Sequence, residues 1–171
     1  MLIFVVCEIM MFAGFISAFF VTKASVRGGV WPPAGQPRLP IEETLINTFA
    51  LLLSGYILYL SNKNYSSDLL KSKKQLLTAV LLSLFFLIFQ GFEWAALLKE
   101  GLTLTSSNHG AFFYLIIGCH ALHVIAAILM LINALIKLTQ NNLSKSTFLS
   151  AQVFWYFVVG IWPILYGIIY F

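Results

Sequence analysis

Charge is scarce in this sequence. Only 9% of its 171 residues are Asp, Glu, Lys or Arg, against 60% that are hydrophobic. That deficit excludes an ordinary soluble domain, which at this size has too little interior to hide so much apolar surface. Lipid is the simpler solvent. Cysteine is nearly missing: Cys7 and Cys119 both sit inside apolar runs, in no metal-spacing pattern, and say nothing about redox compartment. A nucleophile elbow, a glycine-rich phosphate loop, Cys-x-x-Cys and H-E-x-x-H are all absent, so the chemistry this chain could do alone is thin. There is no internal repeat and no low-complexity tract. A dense basic run with interleaved aromatics is also lacking. The net charge of +4 is therefore no nucleic-acid footprint, and the ten basic residues fall almost entirely between the apolar runs, where membrane proteins keep them.

What the chain has instead is five long apolar stretches, at roughly 2–22, 44–60, 76–98, 110–138 and 148–171. At about 1.5 Å per residue these lengths suit a hydrocarbon core of ~30 Å. Only helices or closed barrels satisfy the backbone in lipid, and the runs are too long for barrel strands. The expectation is all-α: an integral membrane bundle of five transmembrane helices, a single membrane domain over 1–171. The first run lacks a basic flank, carries Glu8 and is longer than a usual signal-peptide core, so it is read as a membrane helix. The connector at 23–43 holds Gly28, Gly29, Pro32, Pro33, Gly35, Pro37 and Pro40, a composition that breaks helix and builds fixed turns. Placing the N-terminus inside puts five Lys/Arg in the inside segments and four in the outside ones, a margin too narrow to orient the chain.

Ionisable groups within membrane helices are expensive and are functional candidates by default. Here they are Glu8, Glu93, His120 and His123. His120 and His123 form H-x-x-H on one helical face. That pair alone is not a metal site: a bis-histidine haem takes its ligands from opposite sides of the iron, and a di-iron bundle needs Glu-x-x-His on two helices. Hydrogen bonding to neighbouring helices or headgroups is the simpler role. Gln90 and Glu93 share a face near the end of the third helix, as an interhelical polar cluster, with His120 or His123 as a partner, or as a proton relay. Glu8 lies among Val5, Val6, Cys7, Ile9, Met10 and Met11 with no basic residue in its own run. Desolvation there favours the neutral acid, and a position near one membrane face favours charge; function and interhelical bonding both stay open.

Five segments, in order, resemble subunit III of the haem-copper oxidases. Cys7-Glu8-Ile9-Met10-Met11-Phe12 with Phe19-Phe20 is similar to the family's helix bearing a buried glutamate. Trp31-Pro32-Pro33-Ala34-Gly35, then Leu45-Ile46-Asn47-Thr48 and Leu53-Ser54-Gly55, resembles its signature connector and next helix. Gln90-Gly91-Phe92-Glu93-Trp94 resembles a Q-x-x-E-aromatic segment, and Gly118-Cys119-His120-Ala121-Leu122-His123-Val124 a G-x-H-x-x-H-V helix. Trp155-Tyr156-Phe157-Val158, with Trp162 and Tyr170, resembles the closing aromatic helix. Each is weak alone; five in register are specific. Two departures stand out. The family often has seven helices, and the likeness begins at its third. Its closing W-H-F-V-D reads here with Tyr156 and Val159 in place of the histidine and aspartate.

The resemblance implies a non-catalytic subunit of a short bacterial form. It would bind no cofactor or metal itself, with haem and copper in partner subunits. It would pack directly on oxidase subunit I, in a complex with subunit II and other respiratory subunits, and hold phospholipid as structural lipid between its helices. It implies support for proton uptake and for catalytic durability, with Glu8 at the position of a glutamate that reacts with hydrophobic carbodiimides. It places the chain in the bacterial cytoplasmic membrane, N-terminus inside and C-terminus outside, with cytochrome c or quinol as the electron donor. Two other readings stay open: the accessory subunit of a nitric oxide reductase, and a small membrane transporter. The transporter would want repeats or broken helices, which the sequence does not show.

Overall fold

A computed structural model describes residues 1–25 and 39–170. Trp31, Pro32 and Pro33 of the connector signature lie outside the described residues. Within them the chain forms five helices: α1 Leu2–Ser25, α2 Ile41–Asn64, α3 Leu69–Lys99, α4 Asn108–Thr139 and α5 Lys145–Ile169. Each is long and apolar enough to cross a bilayer, and the protein is a multi-pass membrane protein.

The helices outrun the apolar stretches that announce them. α2 begins at Ile41 and ends at Asn64, and α3 begins at Leu69, several residues before its apolar run. Hydropathy senses only the hydrocarbon-embedded part, whereas the helical hydrogen-bond ladder continues into the headgroup layer, where Glu42, Glu43, Lys63, Lys71 and Lys74 keep their charges wet. Local chemistry then sets the starts of α3, α4 and α5. The side chain of Asp68 accepts from Lys71 N at 2.9 Å, that of Ser107 from Gly110 N at 3.0 Å and that of Ser144 from Thr147 N at 3.2 Å, satisfying N–H groups left free in the first turn. α3 and α4 close with matching left-handed turns, Gly101 at φ 90° and Asn141 at φ 55°. In them Leu102 N returns to Leu97 O and Asn142 N to Lys137 O, at 3.0 and 2.8 Å.

α2 through α5 form a closed ring, each packed on its chain neighbour and α2 also on α5; α1 packs only on α4 and α5. The ring's interior is polar at its seams. Ser61 and Ser72 exchange hydrogen bonds with each other's carbonyls, both at 2.9 Å, and so bring α2 and α3 close. From α5, Trp155 Nε1 donates to Ser54 Oγ at 3.2 Å and Trp162 Nε1 to Thr48 Oγ1 at 2.8 Å. In lipid these bonds and close packing replace the hydrophobic drive that folds a soluble bundle. Gly55 faces Val159 so closely that an added Cβ would sit 3.3 Å from Val159 Cγ1.

The fold also alters the charge count. Lys137 falls within the fourth apolar run of the sequence but occupies the last turn of α4. It therefore joins Lys63, Lys71, Lys73, Lys74 and Lys145 at one end of the bundle. Lys23 and Lys99 belong to the other end, so among the described residues the ratio becomes six to two.

Candidate functional site

α1 delivers Glu8 to α4. Glu8 Oε2 lies 2.9 Å from His123 Nε2, with the two side chains 16% and 14% exposed. The other ring nitrogen of His123, Nδ1, is 2.7 Å from the carbonyl oxygen of Cys119 one turn back. A carbonyl only accepts, so Nδ1 carries a hydrogen and donates. That fixes what remains. At 2.9 Å a bare Nε2 lone pair facing an ionised carboxylate would repel it, so one proton lies between Nε2 and Oε2. It belongs either to an imidazolium paired with a carboxylate or to a carboxylic acid bonded to neutral histidine. The pair holds one proton in both forms.

Aromatic rings wall this pair. The His123 ring centroid is 5.4 Å from Phe12, 6.2 Å from Phe154 and 6.0 Å from Phe157. These edge-on contacts draw on α1 and α5, so three helices fix the imidazole. Such walls lower the local dielectric and strengthen the bond they enclose.

His120 is one turn away and differs completely. It is fully buried and stacked on Trp162 at 5.0 Å with an interplanar angle of 26°. Neither of its ring nitrogens has a hydrogen-bond partner among the described residues. The two histidines of H-x-x-H thus do not share a ligand. Among the described residues no group of three or more His, Cys, Asp or Glu is arranged to hold a metal ion.

Gln90 and Glu93 form a separate cluster, buried at the lysine-poor end of the ring. Gln90 Nε2 donates to Glu93 Oε2 at 2.8 Å, and Thr44 Oγ1 of α2 lies 3.0 Å from both carboxyl oxygens. The sequence suggested His120 or His123 as the partner of Glu93. Instead His123 turns to Glu8, His120 stacks on Trp162, and a threonine takes the place. Asn47 is buried as well and donates from Nδ2 to the Phe86 carbonyl at 3.2 Å, tying α2 to α3.

Where the closing family helix has histidine and aspartate, Tyr156 accepts from its own helix, Gln152 Nε2 to Tyr156 Oη at 2.6 Å, and Val159 packs against Gly55. The contact at the second of these positions is aliphatic. Sequence reasoning passed over Thr44 and Ser61, and took Thr48 and Ser54 only as parts of a family-like segment, although the four form a visible signal. With Asn47, Leu51 and Leu58 they recur every three or four residues along α2, all on its buried face.

The sequence matches the family model of cytochrome c oxidase subunit III over residues 1–171. It is similar to a probable cytochrome c oxidase subunit 3 of Mycobacterium leprae (strain TN), 30% identical over 168 residues that cover 96% of this chain and 82% of the relative. It is similar also to cytochrome c oxidase subunit 3 of Ornithorhynchus anatinus, 32% identical over 178 residues covering 99% of this chain and 67% of the relative. The corresponding protein of Latimeria chalumnae is 33% identical over 178 residues, with the same coverage.

Proposed function

The chain belongs to the cytochrome c oxidase subunit III family, and from that premise we propose that its own contribution to the oxidase is to brace the catalytic subunit and to support proton uptake through Glu8 and His123. It is a haem-copper oxidase subunit III; the family match and the relatives favour this over a nitric oxide reductase accessory subunit or a transporter. The single observation that carries the proton role is the 2.9 Å pair, which holds one exchangeable proton inside an aromatic wall. A group of this kind near a proton entry acts as a local reserve. It takes no step in oxygen chemistry, which belongs to the haem and copper of the partner subunits.

The direct partner is subunit I, with subunit II and other respiratory subunits in the complex, and haem and copper reside in those partners. Phospholipid packs on the chain, and the groove of ≈ 380 Å³ between α1 and α5, lined by Val5, Ile9, Val153, Tyr156, Gly160 and Ile164, suits an acyl chain. The six-to-two lysine count among the described residues supports a lysine-rich inner face in a bacterial cytoplasmic membrane, with N-terminus inside and C-terminus outside. Six residues into α1, Glu8 is then about 9 Å from the helix start, in the inner half of the bilayer where protons enter.

Replacing Glu8 by Gln tests the proton role. The amide keeps shape and one hydrogen bond and removes the titration. Glu8→Gln should leave assembly intact, abolish labelling of this chain by a hydrophobic carbodiimide at that site, and lower turnover modestly, more at high pH where proton supply limits. A loss of more than about tenfold, ~1.4 kcal/mol of barrier, in an intact complex would make Glu8 an essential relay and overturn the supporting role.

A further inference from the structure

Glu93 is a carboxyl in an unusual position. It is 4% exposed, within a membrane helix, and no Lys, Arg or His among the described residues forms an ion pair with it. The titratable groups that face it are Glu43 on α2 and Tyr166 and Tyr170 on α5, none of them cationic. A buried charge without a cation is retained only if hydrogen-bond donors replace the lost water.

Counting hydrogens shows that the donors are too few. Gln90 Nε2 supplies one, to Oε2. Thr44 Oγ1 is within 3.0 Å of both carboxyl oxygens but also 2.8 Å from the Pro40 carbonyl oxygen, and the Tyr170 hydroxyl bonds to it as well, so its single hydrogen cannot serve all of them. The shortest of these lines is the one to Pro40. Two oxygens 2.8 Å apart with no hydrogen between them repel, so the hydroxyl hydrogen lies toward Pro40. The contacts from Thr44 to Glu93 then need a hydrogen from the carboxyl side.

We propose that Glu93 is a proton-binding site kept as the neutral acid, with its O–H donated to Thr44 Oγ1 and its carbonyl oxygen accepting from Gln90 Nε2. In that state the acid is a clasp joining α2 and α3, with α5 close by: Gln90 Nε2 is 3.5 Å from Tyr170 Oη, and Tyr166 Oη donates to the Ile41 carbonyl at 2.8 Å. The clasp lies at the lysine-poor end, remote in the chain from the Glu8–His123 pair, and does not depend on the role given to that pair. Loss of the proton would leave a carboxylate to which, among the described residues, Gln90 Nε2 alone still donates, and the clasp would open.

Infrared difference spectroscopy on the intact oxidase complex tests this, comparing wild type with Glu93→Gln. The expected result is loss of one carboxylic-acid C=O band at neutral pH, with no loss of carboxylate bands. Gln is a neutral donor and acceptor, so the variant should assemble and keep this subunit in detergent as well as wild type, whereas Glu93→Ala should shed it several-fold faster. Loss of a carboxylate band instead would overturn the proposal. So would a Glu93→Gln complex that fails to assemble or sheds the subunit as fast as Glu93→Ala.

Discussion

Glu8 and His123, 115 residues apart in the chain, meet at 2.9 Å because α1 lies in the seam between α4 and α5. The Cys119 carbonyl fixes the His123 tautomer from the other side at 2.7 Å. The carboxyl and the imidazole therefore behave as one unit, and removing half of it should cost more than removing both.

A double-mutant cycle measures that unit. Replacing His123 by Leu leaves Glu8 among apolar side chains without a side-chain partner, and should raise the rate at which the subunit is lost in detergent. Adding Glu8→Leu to His123→Leu removes the orphaned group and should recover much of the loss. Coupling of this sign is expected for a partly buried pair, since an orphaned polar group costs about 1–3 kcal/mol. Additive effects of the two substitutions would show that they act separately.

Thr48 and Ser54 support the aromatic helix. Thr48→Val is nearly isosteric but leaves Trp162 Nε1 buried without an acceptor, a cost of about 1–3 kcal/mol. Thr48→Ser keeps the oxygen and should be close to neutral. Ser54→Ala should act likewise on Trp155, and the two effects should add, because each tryptophan has its own acceptor. The thermal midpoint of subunit release checks all three variants. Equal destabilisation by Thr48→Val and Thr48→Ser would assign the effect to packing instead.

Much of this fold was legible from hydropathy alone: five apolar runs became five helices, with the largest errors where polar residues prolong a helix, as at the start of α3, and a small one where α5 ends at Ile169. Glu8, Glu93, His120 and His123 stood out because charge in lipid is costly. Their partners did not stand out. H-x-x-H reads as one face, yet three residues turn a helix by about 300°, and the resulting offset sends His120 to Trp162 and His123 to Glu8. Nor does any local signal tell Glu93 that Thr44, 49 residues earlier, will face it. Spacing reports which face a residue occupies, and packing alone decides what lies opposite.

Lys137 makes orientation testable. With all native cysteines replaced, a cysteine at Ser66, exposed between α2 and α3, should react with a membrane-impermeant thiol reagent only after the inner face is opened. One at Thr105, exposed between α3 and α4, should react in intact cells. The opposite pattern would reverse the topology and move Glu8 to the outer half of the bilayer.

The central claim is that this chain serves an oxidase without carrying its chemistry, and stripping it from the gently purified complex tests that most directly. Haem absorbance and copper should remain wholly with the residual complex. The isolated chain should contain neither in stoichiometric amount, and the residual complex should keep its initial turnover while inactivating sooner. Stoichiometric haem or copper on the separated chain, or immediate loss of turnover with the metal centres intact, would contradict the account.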